Sequence, residues 1–233
     1  NKTVILYPDN SYSDFIEGKL KKIKIKPYKT LKYNPDPRII TGEIEKLTNY
    51  SQRKRNLENR KKILEKKDDL ASQRELKILE QKYTLGKVNF DSVIVLDFGS
   101  NLKSVLASLV FADVNQEDVI FTTINQWFDK SIFFENSIKT IYYPSVDLKN
   151  FEKFNQEYFN MYDQYPSEIG ILAYDALGLI YYVWNKKNGI ENIKDFLFKD
   201  KIKSKIGSFK FIEDEIIQDL NIYKIEGKKF KKL

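Results

Sequence analysis

The stretch Thr3–Ser13, TVILYPDNSYS, holds the pattern that decides the fold. Its first five residues are apolar or β-branched, as in a strand buried within a sheet, and Pro8–Asn10 then form a turn signal. Ser11 or Ser13 can cap a helix that runs to about Lys22. This stretch therefore predicts a strand, a turn and a helix in direct succession.

The same order recurs further along the chain. Ser92–Leu96 is a second strand of the buried type, and it is followed by the turn Asp97–Ser100 and a predicted helix over Leu102–Phe111. Two more strands are predicted over Asp118–Thr123 and Lys139–Tyr143. Because strands that alternate with helices favour a parallel sheet covered on both faces, we predict an α/β fold with three layers, in which a mostly parallel sheet is flanked by helices.

Residues 51–84 differ in character and are predicted to form a charged helical insertion in this frame. Four apolar residues recur there every seven positions among charges: Leu57, Leu64, Ala71 and Ile78. This spacing indicates a narrow apolar stripe on a helical arm. Asp68 and Asp69 are expected to divide the arm, because Ser72 and Glu75 match a capping box that begins a second helix.

The arm is also rich in basic residues. Those that could bind an acidic partner are Arg53, Lys54, Arg55, Arg60, Lys61 and Lys62. A solvated protrusion is the plainer interpretation of the same charges, and both interpretations stay open.

A later segment, Ser167–Lys186, predicts a helix that is apolar on all sides. Such a helix has to be covered on all sides. A single small lobe would hardly cover it, so a further domain or a partner chain is expected.

The composition excludes several classes of chemistry. The 233 residues contain neither cysteine nor histidine, so no disulfide, Cys/His metal site, Ser-His-Asp triad or cysteine nucleophile is available within the chain. No glycine-rich phosphate loop follows any predicted strand, and no cofactor is expected. The net charge is +7, but the lysines are spread among acidic residues, which favours a solvated surface over a nucleic-acid groove.

Polar side chains gather where the predicted strands end, and this is where open α/β sheets bind ligands. The candidate ligand-binding residues are Asp9, Tyr12, Asp97, Ser100, Asn125 and Trp127. Together they suit a small polar ligand, such as a sugar-like or peptide-like group. Ordinary turn and cap residues are the plainer interpretation, and a catalytic pair formed by Asp9 and Asp97 is a third hypothesis.

Several stretches also carry a family resemblance in their order and spacing. They are Lys2–Ser13, Tyr50–Leu64, Arg74–Leu79, Thr84–Val93, Leu106–Phe111, Asn125–Asp129, Phe154–Tyr158, Tyr165–Ala176 and Gly207–Phe211. The first resembles the start of the second lobe of type I periplasmic solute-binding proteins. Taken together, the stretches resemble the penicillin-binding-protein activator family of bacterial lipoproteins, in a version with a charged insertion.

The resemblance implies a two-lobed, non-catalytic protein of the periplasm, with an outer-membrane anchor and a peptidoglycan synthase as partner. A receptor for amino acids or small peptides that serves an ABC transporter is the alternative. The resemblance carries ligand groups over to Tyr12, Ser100 and Trp127. Membrane association is expected only through an amino-terminal anchor outside this sequence.

The resemblance also implies a domain plan. Residues 1–150 would form a lobe like the second one, with the helical insertion at 51–84. Residues 151–211 would help to complete a first lobe, and residues 212–233 would return to the second lobe as terminal strands. The chain is therefore expected to be a fragment that lacks most of a first lobe.

Overall fold

The computed structural model describes residues 2–22, 26–135, 138–196, 201–212 and 215–233, and the chain forms two compact units. The first unit comprises Asn1–Ile124, Lys130–Tyr143 and Lys224–Lys229. The second unit comprises Asn125–Asp129, Pro144–Tyr223 and Phe230–Leu233. The lobe plan with boundaries at 150 and 211 stays a prediction.

The regular elements alternate as the sequence predicts. The strands are β1 (Thr3–Pro8), β2 (Lys29–Tyr33), β3 (Ser92–Val95), β4 (Ile120–Thr123), β5 (Thr140–Ser145), β6 (Ile202–Lys203), β7 (Ser208–Ile212), β8 (Glu215–Gln218), β9 (Asn221–Glu226) and β10 (Lys229–Lys232). The α-helices are α1 (Ser13–Lys22), α2 (Pro37–Leu47), α3 (Tyr50–Leu64), α4 (Leu70–Glu80), α5 (Gly99–Phe111), α6 (Leu148–Tyr162) and α7 (Glu168–Lys187). Two short 3₁₀ helices span Lys130–Phe134 and Ile193–Phe196.

The main sheet has the strand order β10-β9-β5-β4-β3-β1-β2. The β1 strand pairs in parallel with β2 and β3, and the parallel ladder continues through β4 to β5. Its core residues include Val4, Leu6, Val93 and Phe121, all nearly inaccessible to water. Burial of each such side chain contributes about 1.5–3 kcal/mol. The predicted α/β fold, with a mostly parallel sheet flanked by helices, is confirmed.

The predicted arm forms two helices, α3 and α4, whose contact is built on Leu57, Leu64 and Leu79. The seven-residue repeat is wrong beyond Leu64, because Ala71 and Ile78 are exposed. The turn between the helices breaks the repeat, so α4 buries a different set of positions.

The start of α4 also differs from the prediction. Asp69 is the N-cap, and its carboxylate accepts a hydrogen bond from the Ser72 backbone N–H at 2.8 Å. Ser72 therefore lies inside the first turn instead of capping it, and Glu75 pairs with Arg60. A carboxylate accepts from the amides of a first turn at least as well as a hydroxyl does, which explains why the aspartate takes the cap.

In the second unit, the helix predicted over Ser167–Lys186 is present as α7, and most of its apolar surface is uncovered within this chain. Only Ile171 and Val183 of α7 are buried. Eight of its large side chains are exposed, namely Ile169, Leu172, Tyr174, Leu177, Ile180, Tyr181, Tyr182 and Trp184. No described helix combines the length and the apolar character that a membrane crossing requires.

The second unit also contains a small antiparallel sheet with the order β6-β7-β8. Of these strands, only β7 overlaps one of the stretches that carry the family resemblance, Gly207–Phe211. The other two are four residues or shorter, and their pairing depends on residues that are distant in sequence.

Candidate ligand-binding groove

The first unit has a groove of about 510 Å³ at the carboxyl ends of its parallel strands. Its lining comes from the turn after β1, the start of α1, the segment after β3 and the first turn of α5. The residues are Pro8, Asn10, Tyr12, Phe15, Ile16, Leu96, Asp97, Phe98, Gly99, Ser100, Asn101 and Ile124. This is the edge of an α/β sheet at which ligands bind.

Aromatic rings make up much of the groove's apolar surface. Tyr12 is 63% exposed, and Phe15 and Phe98 are each 65% exposed. Exposed aromatic side chains that share one concave site offer a platform for the apolar part of a ligand.

The turn after β1 is fixed by its own polar groups. The backbone N–H of Tyr12 donates to the Asn10 side-chain oxygen at 2.9 Å, and the Asn10 backbone N–H donates to Ser13 Oγ at 2.9 Å. Ser13 is buried, and its hydroxyl donates to the Pro8 carbonyl at 3.0 Å. These bonds hold the backbone that carries Tyr12, so its ring is presented from a closed turn.

Asp97 lies beneath the groove and is 5% exposed. Its carboxylate accepts a hydrogen bond from the hydroxyl of the fully buried Tyr33 and another from the Phe98 backbone N–H at 2.8 Å. Burial, together with the hydrogen bond to Asp97, raises the pKa of Tyr33 well above its usual range. Thr123 secures the same region by donating to the Val95 carbonyl at 2.9 Å. Asp97 therefore holds the strand-end turn in place.

The first turn of α5 contributes the polar part of the lining. Phe98 is the N-cap in an extended conformation, and no side chain caps the helix there. Gly99 has φ +60°, a conformation that a residue with a Cβ rarely adopts. The backbone N–H groups at such a helix start carry partial positive charge. With the side chains of Ser100 and Asn101 alongside, this end of the groove favours an anionic or hydrogen-bond-accepting group.

The structure brings together three of the six predicted site residues, Tyr12, Asp97 and Ser100. Asp9 forms an ion pair with Lys32 on β2 instead, with Asp9 Oδ1 3.1 Å from Lys32 Nζ. The two aspartates of the hypothetical catalytic pair thus have separate structural partners, Lys32 and Tyr33. In the described residues, no group of three or more carboxylates is placed to hold a metal ion.

The remaining two predicted residues belong to the second unit. Asn125 Oδ1 accepts hydrogen bonds from the Trp127 backbone N–H at 3.0 Å and from the Ser145 hydroxyl at 2.8 Å. Trp127 has φ +47° in this turn. A ligand role for Asn125 and Trp127 stays a prediction.

Sequence reasoning missed Phe15, Phe98 and Asn101 as groove residues. Phe15 belongs to the helix predicted to run to about Lys22, and it opens onto the groove. Asn101 falls between the predicted turn Asp97–Ser100 and the helix predicted to begin at Leu102, whereas α5 begins at Gly99. Phe98 lies between the predicted residues Asp97 and Ser100 in the sequence, and this position was the signal that could have identified it as a groove residue.

Two of the six candidate basic residues of the arm, Arg53 and Arg60, bond to other groups of the chain. Arg53 is 5% exposed and donates to the carbonyls of Thr48, Asp113 and Ala112 and to the Thr84 hydroxyl. Arg60 forms a two-bond pair with Glu75, with both N···O distances 2.8 Å. Arg53 is therefore not available to a partner, because its guanidinium is buried and bonded at the base of the arm. Arg60 is engaged within the arm by Glu75.

Comparisons with known proteins bear on the fold. No protein-family model matches the sequence, and no curated protein matches it. Among solved structures, a branched-chain amino acid ABC transporter periplasmic ligand-binding protein from Burkholderia xenovorans is similar, with a TM-score of 0.58 at 10% identity. An amino acid ABC transporter substrate-binding protein from Pseudomonas fluorescens gives 0.57 at 10% identity. LivJ from Streptococcus pneumoniae, solved in complex with isoleucine, gives 0.51 at 15% identity.

These similarities extend over 100%, 100% and 98% of this chain, and over 58% of each of the three neighbours. The chain thus spans rather more than half the length of the solved proteins it matches. Identities this low carry information about architecture alone. The chain has the fold of type I periplasmic binding proteins.

Proposed function

We propose that the chain is the ligand-binding part of a solute receptor and holds a small polar ligand, of the amino-acid or short-peptide class, in the groove of the first unit. One observation carries this proposal. The same groove is lined by exposed aromatic rings and by the start of α5, which no side chain caps.

This combination suits a molecule with one anionic and one apolar end. A carboxylate can accept hydrogen bonds from backbone N–H groups at the start of α5 and from the Ser100 hydroxyl. An aliphatic or aromatic side chain can lie against Tyr12 and Phe98. The names of the solved neighbours support the amino-acid class, since they describe amino acid transporters and one was solved with isoleucine.

The proposed role requires no catalysis. The structural neighbours are solute-binding proteins, and the two aspartates of the catalytic hypothesis have structural partners here. The same neighbours support a location in the periplasm. The outer-membrane anchor stays a prediction.

A second candidate function is activation of a peptidoglycan synthase. It is supported by the ordered resemblance to the penicillin-binding-protein activator family, which includes the charged arm. In this case the groove need not bind a free amino acid. Stimulation of peptidoglycan polymerisation by a purified synthase in the presence of this chain is the measurement that distinguishes the two functions.

Thermal melting against a panel of L-amino acids and dipeptides tests the leading proposal. A ligand present at one hundred times its dissociation constant stabilises the folded state by about 2.7 kcal/mol, which raises the melting temperature by several degrees. We expect at least one compound to do so, and Tyr12→Ala to reduce its effect. Tyr83→Ala is the matched control, because Tyr83 is an exposed tyrosine outside the groove. An equal response to the whole panel in wild type and both variants would argue against the groove.

A further inference from the structure

The positive charge of the chain is concentrated on one helix. Residues 51–67, which contain most of α3, have eight basic and two acidic side chains, a net charge of +6. The whole chain has a net charge of +7. This segment alone therefore has a net charge close to that of the whole chain.

The structure separates this charge into two sets. Arg53 and Arg60 are engaged within the arm and its base, as described above. The other six basic residues are Lys54, Arg55, Lys61, Lys62, Lys66 and Lys67. In the described part of the chain, no ion pair joins any of these six to a carboxylate within 4.0 Å.

Three of the six lie on the outward side of α3 or directly after it. Arg53, Leu57 and Leu64 mark the buried side of α3. At 100° per residue, Arg55 and Lys62 lie on the opposite side, about 10 Å apart along the axis, and Lys66 follows in the turn after the helix. All three are exposed, and we call them the basic stripe. Glu58 and Glu65 lie beside the stripe, and the segment as a whole keeps its net charge of +6.

The stripe contains no apolar anchor of the kind that protein interfaces place at their centre. Two aliphatic residues are instead exposed where α3 ends and α4 begins, at the same end of the arm as Lys66. They are Ile63, 51% exposed, and Leu70, 71% exposed. Aligned cations beside protruding aliphatic side chains are typical of a segment that adsorbs to the interface of an anionic membrane.

We propose that the basic stripe binds the anionic headgroup surface of a phospholipid membrane. The contact is electrostatic, with each Lys or Arg near the surface strengthening binding about fivefold. Ile63 and Leu70 enter the interfacial layer at the tip of the arm. This contact is independent of the groove, so it can hold whether or not the groove binds an amino acid.

Sedimentation with vesicles tests the proposal. Vesicles of phosphatidylcholine and phosphatidylglycerol are expected to bind the chain, vesicles of phosphatidylcholine alone are not, and added salt should release the bound protein. Arg55→Glu/Lys62→Glu/Lys66→Glu should weaken binding by about a hundredfold or more, since three fivefold contributions are lost. The triple glutamine variant at the same positions, with a smaller charge change, should lose nearly as much.

A matched control reverses three exposed charges away from the stripe, as Arg74→Glu/Lys77→Glu/Lys82→Glu. It should bind much more tightly than the stripe variant, and all variants should melt near the wild-type temperature. The proposal is overturned if anionic vesicles do not bind the chain. It is also overturned if the control variant loses as much binding as the stripe glutamate variant, because binding would then depend on net charge alone. Binding to soluble poly-glutamate through the stripe, without binding to vesicles, would also overturn it and would identify an acidic protein as the partner.

Discussion

The hydroxyl of Tyr33 at the end of β2 donates a hydrogen bond to the carboxylate of Asp97, just after β3. Both side chains are buried, and the bond links two strands that lie on either side of β1. It supports the groove from below, because Asp97 also accepts the Phe98 backbone N–H next to the start of α5.

Tyr33→Phe should therefore destabilise the first unit by about 1–3 kcal/mol, because it leaves a buried carboxylate without one of its donors. The free energy of unfolding in urea measures the change. Tyr83→Phe is the control, since Tyr83 is exposed, and it should stay within about 0.5 kcal/mol of wild type. Equal values for the two variants would show that the Tyr33–Asp97 bond adds nothing to stability.

Two glycines offer a test in which the same substitution, Gly→Ala, should change folding stability in opposite directions. Gly99 has φ +60°, so Gly99→Ala should cost about 1–2 kcal/mol through backbone strain. Gly18 lies inside α1, and a Cβ there would meet no atom within 4 Å. Gly18→Ala should stabilise by about 0.5–1 kcal/mol. Thermal melting of both variants checks the prediction, and a shift of the same sign in both would contradict the assigned conformation of Gly99.

The buried guanidinium of Arg53 should contribute far more to folding stability than the exposed guanidinium of Arg55. Arg53→Met removes hydrogen bonds to three carbonyls and to the Thr84 hydroxyl, so we expect a loss of about 2–4 kcal/mol. Arg55→Met, two positions away on the exposed side of α3, should change stability by less than about 0.5 kcal/mol. If urea unfolding shows that Arg55→Met is less stable than Arg53→Met, the structural role assigned to Arg53 is contradicted.

Acid stability should depend on Asp195 in the second unit. Hydrogen bonds from Lys187 and from the Asn192 and Glu191 backbone N–H groups lower the pKa of Asp195 to about 2. Because the folded-state pKa is lowered, the stabilisation is present above the unfolded pKa of about 3.9 and is lost as pH falls toward 2. The stability difference between wild type and Asp195→Asn should therefore be largest near neutral pH and shrink between about pH 4 and pH 2.

Melting curves over this pH range measure the effect. Glu191→Gln removes one carboxylate from an exposed neighbour whose side chain does not accept these hydrogen bonds, and it serves as the charge-matched control. A pH-independent difference between wild type and Asp195→Asn would contradict the lowered pKa.

Local patterns in the sequence predicted much of the fold. Thr3–Tyr7 and Ser92–Leu96 have the residue types of buried strands, and their order with the helices implied a parallel sheet. The uncovered character of α7 was also predictable, since apolar residues surround the whole helix. These features depend on residues close together in the sequence or on composition, and both can be read from a single sequence.

Other features depend on contacts that no local pattern records. Arg53 resembles the other basic residues of the arm, and only the folded chain places it against the carbonyls of Ala112 and Asp113. Asp97 was predicted as a ligand group because it follows a strand. In the structure its carboxylate accepts a hydrogen bond from Tyr33, which is distant in sequence. The rings of Phe15 and Phe98 become part of one groove only when the parallel strands bring the starts of α1 and α5 to the same edge of the sheet.

Hydrogen exchange followed by mass spectrometry, with and without a mixture of L-amino acids at millimolar concentration, tests the ligand-binding groove most directly. The predicted result is slower exchange in the turn after β1 and in the first turn of α5, with no change in the arm helix α4. Unchanged exchange in both groove segments, or protection confined to segments outside them, would contradict the assignment of this groove as the ligand site.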